Sequence, residues 1–192
     1  MNASRSLFAV LVTAAACLTL TGCSTPKGNT PDERREYVRT QAEQTLEKLY
    51  AEEPHTRDEI TEAAGYGVFS TIGTNLIFVT TGGGHGVVYN NATGDETFMK
   101  MGEVGVGIGI GIKDFRAVFV FSTDEAVTRF VESGWAFGAD ADAAAKVDDT
   151  GGAAGAKADI SGDIKVYQLT KSGLALSASV AGTKYWKDDK LN

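Results

Sequence analysis

Hydrophobic and polar positions in the first part of the chain follow a helical period. Thr30 and Glu33 have the spacing of a capping box, with Pro31 in the first turn. The pattern therefore predicts a helix from Thr30 to about Glu52, with an apolar stripe that packs on a domain. The residues of this stripe are Val38, Ala42, Leu46, Leu49 and Tyr50.

Two shorter helices are indicated by further capping signals. Thr56 and Glu59 have capping-box spacing, and this helix is expected to end near Gly65. Asp124 is expected to cap a third helix, which Gly134 ends. The apolar face of the third helix comprises Ala126, Val127, Phe130 and Val131.

The remaining pattern is one of short β-rich runs separated by Gly, Asn, Asp and Thr. These runs are 68–69, 76–80, 86–89, 97–101, 104–112, 117–121, 164–169 and 174–180. The clearest hairpin turn is 90–95. Few runs precede a helix long enough for a parallel crossover. We therefore predict an α+β fold with a mostly antiparallel, strongly curved, half-barrel-like sheet, and with the N-terminal helices and one mid-chain helix packed beside it.

Glycine alternates with apolar residues along 104–112, so one face of the predicted strand has no side chains. The glycines are Gly105, Gly107, Gly109 and Gly111. Repeated glycine in a strand indicates that something approaches the backbone closely. Two interpretations remain open: packing within the protein, or an acyl chain or other apolar ligand in a glycine-lined trough.

The N-terminus has the pattern of a lipoprotein signal. Arg5 precedes an uncharged apolar run over 7–20, which is followed by Leu20-Thr21-Gly22-Cys23, the spacing of a lipobox. We expect residues 1–22 to be a cleaved signal peptide and 23–30 to be a lipidated tether carrying acyl chains such as palmitate on Cys23. An ordinary secretory signal with an incidental cysteine is the alternative.

Cysteine content agrees with this interpretation. Cys17 would leave with the signal peptide, and Cys23 is the only other cysteine, so the mature chain would have no internal disulfide. Ser24 lacks the acidic character that retains lipoproteins at the inner membrane. The expected location is therefore the cell envelope, on the periplasmic face of the outer membrane.

The chain has few residues of the types that commonly catalyse reactions or bind metals. The histidines are His55 and His85, and no serine-hydrolase or zinc-protease motif occurs. The glycine-rich stretch 81–86 lacks the Lys-Ser/Thr of a phosphate-binding loop and is expected to form a tight turn. The acidic pairs at 140–142 and 148–149 lack the spacing of a calcium loop. We therefore expect no enzyme activity, cofactor or metal.

Charge limits the class of partner. The chain has a net charge of −7, which makes nucleic acid an improbable partner. Near the end, Lys184, Lys187 and Lys190 surround Tyr185 and Trp186. This combination is typical of a lipid interface, but it is also compatible with an ordinary exposed terminus.

Several motifs together resemble the SYLF domain. They are 64–69 (AGYGVF), 82–88, the alternating run 104–112, 122–126 (STDEA), 134–140 (GWAFGAD) and 174–184. The resemblance covers about residues 63–186 and leads us to assign 31–192 to a single SYLF-like domain. It implies a phospholipid-binding module, whose bacterial members are commonly secreted proteins or lipoproteins. At 70–75, this chain lacks the basic residue that many members have after the first strand.

The resemblance implies a non-catalytic lipid-binding role. The residues expected to contact lipid are Trp135, Phe137, Lys184 and Trp186, with Lys113, Arg116 and the glycines of the trough as further candidates. The partners expected are the membrane that holds Cys23 and a phospholipid or another apolar envelope ligand. In the alternative hypothesis, the domain is a structural or protein-interaction module of the envelope, and lipid serves only as the anchor.

Overall fold

Three helices and nine strands form the part of the chain that the computed structural model describes, namely residues 25–76, 79–106, 114–136, 157–159, 162–170, 173–174 and 183–192. The helices are α1 (Pro31–Glu52), α2 (Thr56–Glu62) and α3 (Asp124–Ser133). The strands are β1 (Gly65–Leu76), β2 (Val79–Asn90), β3 (Glu96–Val106), β4 (Asp114–Phe121), β5 (Trp135–Ala136), β6 (Lys157–Asp159), β7 (Ile164–Thr170), β8 (Gly173–Leu174) and β9 (Thr183–Lys187).

All strand pairs between these elements are antiparallel and belong to one sheet. The strand order is β5-β9-β3-β2-β1-β4-β7-β6, and β8 pairs with β7. The sheet curls into a half-barrel. The predicted α+β fold with a mostly antiparallel, strongly curved sheet is therefore confirmed.

Helix α1 begins as its capping box predicts. The Thr30 hydroxyl oxygen accepts a hydrogen bond from the Glu33 amide at 3.2 Å, and the Glu33 carboxylate accepts one from the Thr30 amide at 3.3 Å. These bonds satisfy amides that the first turn leaves without intrahelical partners. The buried positions of α1 are Val38, Ala42, Thr45 and Leu49, so the helix packs its apolar stripe on the sheet.

The caps of the two shorter helices differ from the prediction. Thr56 is the first residue of α2 and its hydroxyl donates to the Glu53 carbonyl at 2.7 Å, so it does not cap the helix. In α3 the cap is Thr123, whose hydroxyl oxygen accepts from the Ala126 amide at 3.2 Å, and Asp124 is the first helical residue. Gly134 follows α3 with a positive φ of 69°, as expected for a residue that ends a helix.

The glycine-rich stretch 81–86 does not form the predicted turn. It lies in the middle of β2, where Gly84 pairs with Thr71 and His85 pairs with Ser70 of β1. These glycines give space to the neighbouring strand: a Cβ on Gly86 would lie 2.3 Å from the Val68 carbonyl oxygen. The hairpin predicted at 90–95 does connect β2 to β3.

The sheet lies between two apolar cores. On the α3 side, the core includes Phe69, Phe119, Phe121, Phe130 and Tyr185. On the α1 side, it includes Val38, Val68, Val87, Val118 and Val120. Alternate residues of each strand therefore face different helices, as the two-residue period of a strand requires.

The C-terminus is part of this fold and is not an exposed tail. Tyr185 is completely buried, and Leu191 is only 3% exposed. The Asn192 side chain bonds the backbone of Phe98 in both directions, and Arg35 donates to the Leu191 carbonyl at 2.7 Å. Strand β9 is thus fixed between β3 and β5, with the last residues packed under α1.

Candidate functional site

Trp186 is the exposed large hydrophobic residue of the described part of the chain, at 39% exposure. Its position in β9 follows buried Tyr185, so the two side chains lie on opposite faces of the sheet. Trp186 lies against Gly102 of β3, where an added Cβ would be 3.1 Å from indole Cη2. The absence of a side chain at Gly102 therefore gives the indole its place on the α1 side.

Charged residues surround this indole. Lys184 is exposed and lies two residues before Trp186 in β9, so the two share a face. Lys100 pairs with Trp186 in register, and its ammonium contacts the buried Asp188 carboxylate at 2.8 Å. The Lys100 charge is therefore neutralised by Asp188, whereas Lys184 pairs with no described carboxylate and is available to an external anion.

The segment before α1 packs on the same side of the domain. Pro26 is buried, and the exposed Lys27 has its Nζ 5.8 Å from the centroid of the Tyr37 ring. The Gly28 carbonyl accepts a hydrogen bond from Arg34 Nε at 3.0 Å. Most of the predicted tether is thus bound to the domain surface from Pro26 onwards.

His85 lies beneath this region. It is 5% exposed, its ring centroid is 5.5 Å from that of Tyr37, and neither ring nitrogen has a hydrogen-bond partner among the described residues. Burial lowers the pKa of His85 to about 4, against the opposing influence of the Asp188 carboxylate. The imidazole is therefore neutral at physiological pH, and it supplies no charge to the surface above it.

In its described part, the α3 face of the sheet is filled by aromatic side chains. The Phe69 and Tyr185 ring centroids are 4.8 Å apart, and those of Phe119 and Phe130 are 5.1 Å apart. A Cβ on Gly86 would meet Phe69 Cδ1 at 2.4 Å. At this position the glycine makes room for the protein's own core, which agrees with the packing interpretation of glycine-rich strands.

The predicted lipid-contact residues are not all in one place. Arg116 lies in β4, four strands from β9 in the sheet, and donates to the Thr45 hydroxyl at 3.3 Å. The backbone of Trp135, in β5, pairs with Tyr185 of β9. The backbone of Gly105, in β3, pairs with Thr80 of β2. The structure thus brings Lys184 and Trp186 together and separates Arg116 from them.

Several predicted residues lie outside the described ranges. These are Cys23, Phe137, Lys113, Gly107, Gly109 and Gly111. Sequence reasoning missed the contributions of Lys27, Tyr37 and Gly102 to the surface around Trp186. Gly102 belongs to this surface only because β3 pairs with β9 in this register. The alternating pattern of one strand does not show which strand lies beside it, so the sequence could not reveal this contact.

Among the described residues, no three His, Cys, Asp or Glu side chains are grouped so as to hold a metal ion. No helix in these ranges is both long and apolar enough to cross a membrane.

Residues 102–192 match a protein family described as "Ysc84: Las17-binding protein actin regulator". The chain is also similar to beta cell expansion factor A of Aeromonas veronii, with 34% identity over 164 residues. This alignment covers 84% of the chain and 60% of the relative, so the chain spans about three fifths of the length of that protein. Both similarities agree with the motifs identified in the sequence, and residues 102–192 carry the match to the Ysc84 (SYLF) family.

Proposed function

We propose that the chain is an envelope lipoprotein, held on a membrane by lipid on Cys23, whose SYLF domain binds phospholipid without catalysing a reaction. The observation that carries this proposal is the pairing of exposed Trp186 with exposed Lys184 on one face of β9. An indole is suited to the boundary between water and acyl chains, and a lysine ammonium attracts anionic headgroups.

The surface of the domain, and not its interior, is the proposed contact. The described part of the α3 face is occupied by the rings of Phe69, Phe119, Phe130 and Tyr185, which leaves no space among them for an acyl chain. A phospholipid bound by this part of the molecule would therefore keep its acyl chains in the bilayer and present only its headgroup to the protein.

Anchoring at Cys23 would compensate for a small contact surface. One indole and one ammonium provide weak affinity, below even the marginal membrane binding of a single lipid chain. A protein already attached through Cys23 stays at a high effective concentration near the bilayer, so weak headgroup contacts are sufficient. The anionic outer side of α1 does not favour a bilayer, because it carries exposed Asp32, Glu36, Glu43 and Glu47.

The same acidic side of α1 supports the second candidate function, a protein-interaction module. Its carboxylates are exposed along the outer side of a rigid helix, which is suited to a basic partner. The matched family is itself described as Las17-binding, so one of its members binds a protein. In this alternative, lipid serves only as the anchor.

Vesicle flotation of unlipidated residues 24–192 tests phospholipid binding by the domain itself. Vesicles of phosphatidylcholine alone are compared with vesicles that also contain phosphatidylglycerol. We expect flotation only with the anionic vesicles, and phospholipid in organic extracts of the purified domain. A clean extract together with absent flotation on both vesicles would contradict domain binding and favour the protein-partner alternative.

Labelling with a palmitate analogue tests the anchor. We expect the full-length chain to incorporate label in a bacterial host and to fractionate with membranes. Cys23→Ser should lose both properties, whereas Cys17→Ser should retain them, because Cys17 lies in the segment that is expected to be removed. Equal labelling of the Cys23→Ser variant would contradict anchoring at this residue.

A further inference from the structure

The attachment point for lipid is separated from the folded domain by very few residues. Pro26 is buried, and it lies three residues after Cys23. Three residues of fully extended chain span about 10 Å. If Cys23 carries the lipid, the domain surface around Pro26 cannot move more than about this distance from the bilayer.

A series of contacts leads from this surface to Trp186. Lys27 lies over the ring of Tyr37, and Tyr37 packs against His85 of β2. His85 pairs in register with Lys100 of β3, which in turn pairs with Trp186 of β9. Since neighbouring strands are about 5 Å apart, Trp186 is two strand spacings, or about 10 Å, from the His85 backbone.

The charges at this edge suit an anionic surface. Lys27 and Lys184 are exposed and make no ion pair with any described carboxylate, whereas Lys100 is neutralised by Asp188. The exposed neighbours Asp189 and Lys190 carry opposite charges and cancel. The first turn of α1 also carries exposed Asp32, which pairs with Arg35, and exposed Glu33, whose carboxylate accepts hydrogen bonds from the Asn29 and Thr30 amides. Lys27 and Lys184 are thus the cations at this edge that no described carboxylate offsets, in a chain whose net charge is −7.

We propose that the surface formed by Lys27, Lys184 and Trp186, which we name the anchor-side surface, docks on the anionic face of the same membrane that holds Cys23. The proposal rests on the proposed function and adds an orientation to it. The segment before α1 and strand β9 face the lipid, whereas the acidic outer side of α1 and the α1–α2 connection at His55 face away from it.

The position of Trp186 relative to the bilayer can be measured by fluorescence quenching. Residues 23–192 contain Cys23 as their only thiol, and the chain has only two tryptophans, so Trp135→Phe leaves Trp186 as the single indole. Both described cores are built from residues within this segment. The Cys23 thiol is coupled to maleimide lipid in phosphatidylcholine/phosphatidylglycerol vesicles that contain brominated phosphatidylcholine, a quencher located in the acyl region.

A matched control places the indole at the far end of α1. In Trp135→Phe/Trp186→Phe/His55→Trp, the single indole occupies an exposed position after the C-terminal end of this 22-residue helix, about 33 Å from its first turn. We expect quenching of Trp186 to exceed that of the control indole at least twofold. We also expect vesicles without phosphatidylglycerol to reduce this difference.

Equal quenching of the two indoles, or stronger quenching of the one at position 55, would overturn the proposed orientation. If Trp135→Phe fails to fold, the difference in quenching between the unsubstituted segment and Trp186→Phe gives the same quantity. Because coupling holds the domain on the vesicle, this result does not depend on the flotation experiment. If the unlipidated domain does not float but Trp186 is preferentially quenched, binding by the domain alone is contradicted and the proposed orientation is supported.

Discussion

The indole of Trp186 occupies the space above Gly102: a Cβ added to Gly102 would lie 3.1 Å from indole Cη2 and 3.4 Å from Cζ3. These two residues belong to neighbouring strands, β9 and β3, and are offset by two positions along the ladder. The glycine therefore determines how the ring rests on the sheet, and part of the ring stays exposed to solvent.

Substitution of Gly102 is expected to move the ring without unfolding the protein. In Gly102→Ala, the half-exposed indole must shift by a few tenths of an ångström, and the free energy of unfolding should change by less than ~1 kcal/mol. In a Trp135→Phe background, the emission of Trp186 should shift to longer wavelength as the ring becomes more exposed. An unchanged spectrum would contradict the described contact.

Gly86→Ala provides a contrasting case in the interior of the sheet. Here the new Cβ would lie 2.3 Å from the Val68 carbonyl oxygen and 2.4 Å from Phe69 Cδ1, so the backbone itself must move. We expect a loss of about 3 kcal/mol in the free energy of unfolding, measured by urea denaturation. A midpoint equal to that of Gly102→Ala would show that strand β2 is not packed as described.

These two glycines indicate how far the sequence alone can predict the fold. The helices, the hairpin at 90–95 and the antiparallel class follow from local signals such as capping residues and turn composition. The continuous strand through 81–86 does not, because glycine is typical of turns unless a neighbouring strand occupies its free space. That neighbour, Phe69, is distant in the sequence.

His85 is expected to make folding pH-dependent. Its pKa falls from the ordinary 6.5 to about 4 on burial, so the folded protein favours the neutral imidazole. Its stabilising contribution is fully present above pH 6.5 and is lost as the pH falls through 4, by ~3 kcal/mol in total. His85→Phe removes this contribution. The free energy of unfolding of the wild type should therefore fall relative to that of the variant as the pH drops from 6.5 to 4, and the difference should stay constant above this interval.

Other titrating groups affect the wild type and His85→Phe alike, so their contributions cancel in the difference between the two free energies of unfolding. The measurement is a series of urea titrations of wild type and His85→Phe between pH 7.5 and 4. Parallel stability curves over this range would mean that His85 acquires a partner or remains accessible to water, contrary to its burial beneath Tyr37.

The last two residues should contribute measurably to stability. Removal of Leu191 and Asn192 exposes the apolar surface that Leu191 covers and deletes the bonds to Phe98 and Arg35. We expect a loss of about 3 kcal/mol, from about 2 kcal/mol of leucine burial and about 1 kcal/mol of net hydrogen bonding. Asn192→Ala alone should cost about 1 kcal/mol. An unchanged urea midpoint after removal of both residues would contradict the packing of the terminus.

The C-terminus also illustrates what could be predicted of the candidate site. The sequence indicates Lys184 and Trp186 as lipid contacts, but its last predicted strand is 174–180 and it does not predict β9, in which alternation places both residues on one face. The neighbours of that strand depend on sheet order, which brings β9 beside β3 and β5. The parts played by Gly102, Lys27 and Tyr37 are therefore visible only in three dimensions.

The most direct test of the central claim, that the domain binds phospholipid through Lys184 and Trp186, is vesicle partitioning of Lys184→Gln/Trp186→Ala. The matched control, His55→Ala/Arg57→Gln, removes one ring and one positive charge from exposed residues of the α1–α2 region. We expect the first variant to bind phosphatidylglycerol-containing vesicles about thirtyfold more weakly than wild type, since ~1 kcal/mol is lost with the lysine and a similar amount with the indole. The control should bind as wild type does. Equal binding by wild type and the Lys184→Gln/Trp186→Ala variant would contradict the account.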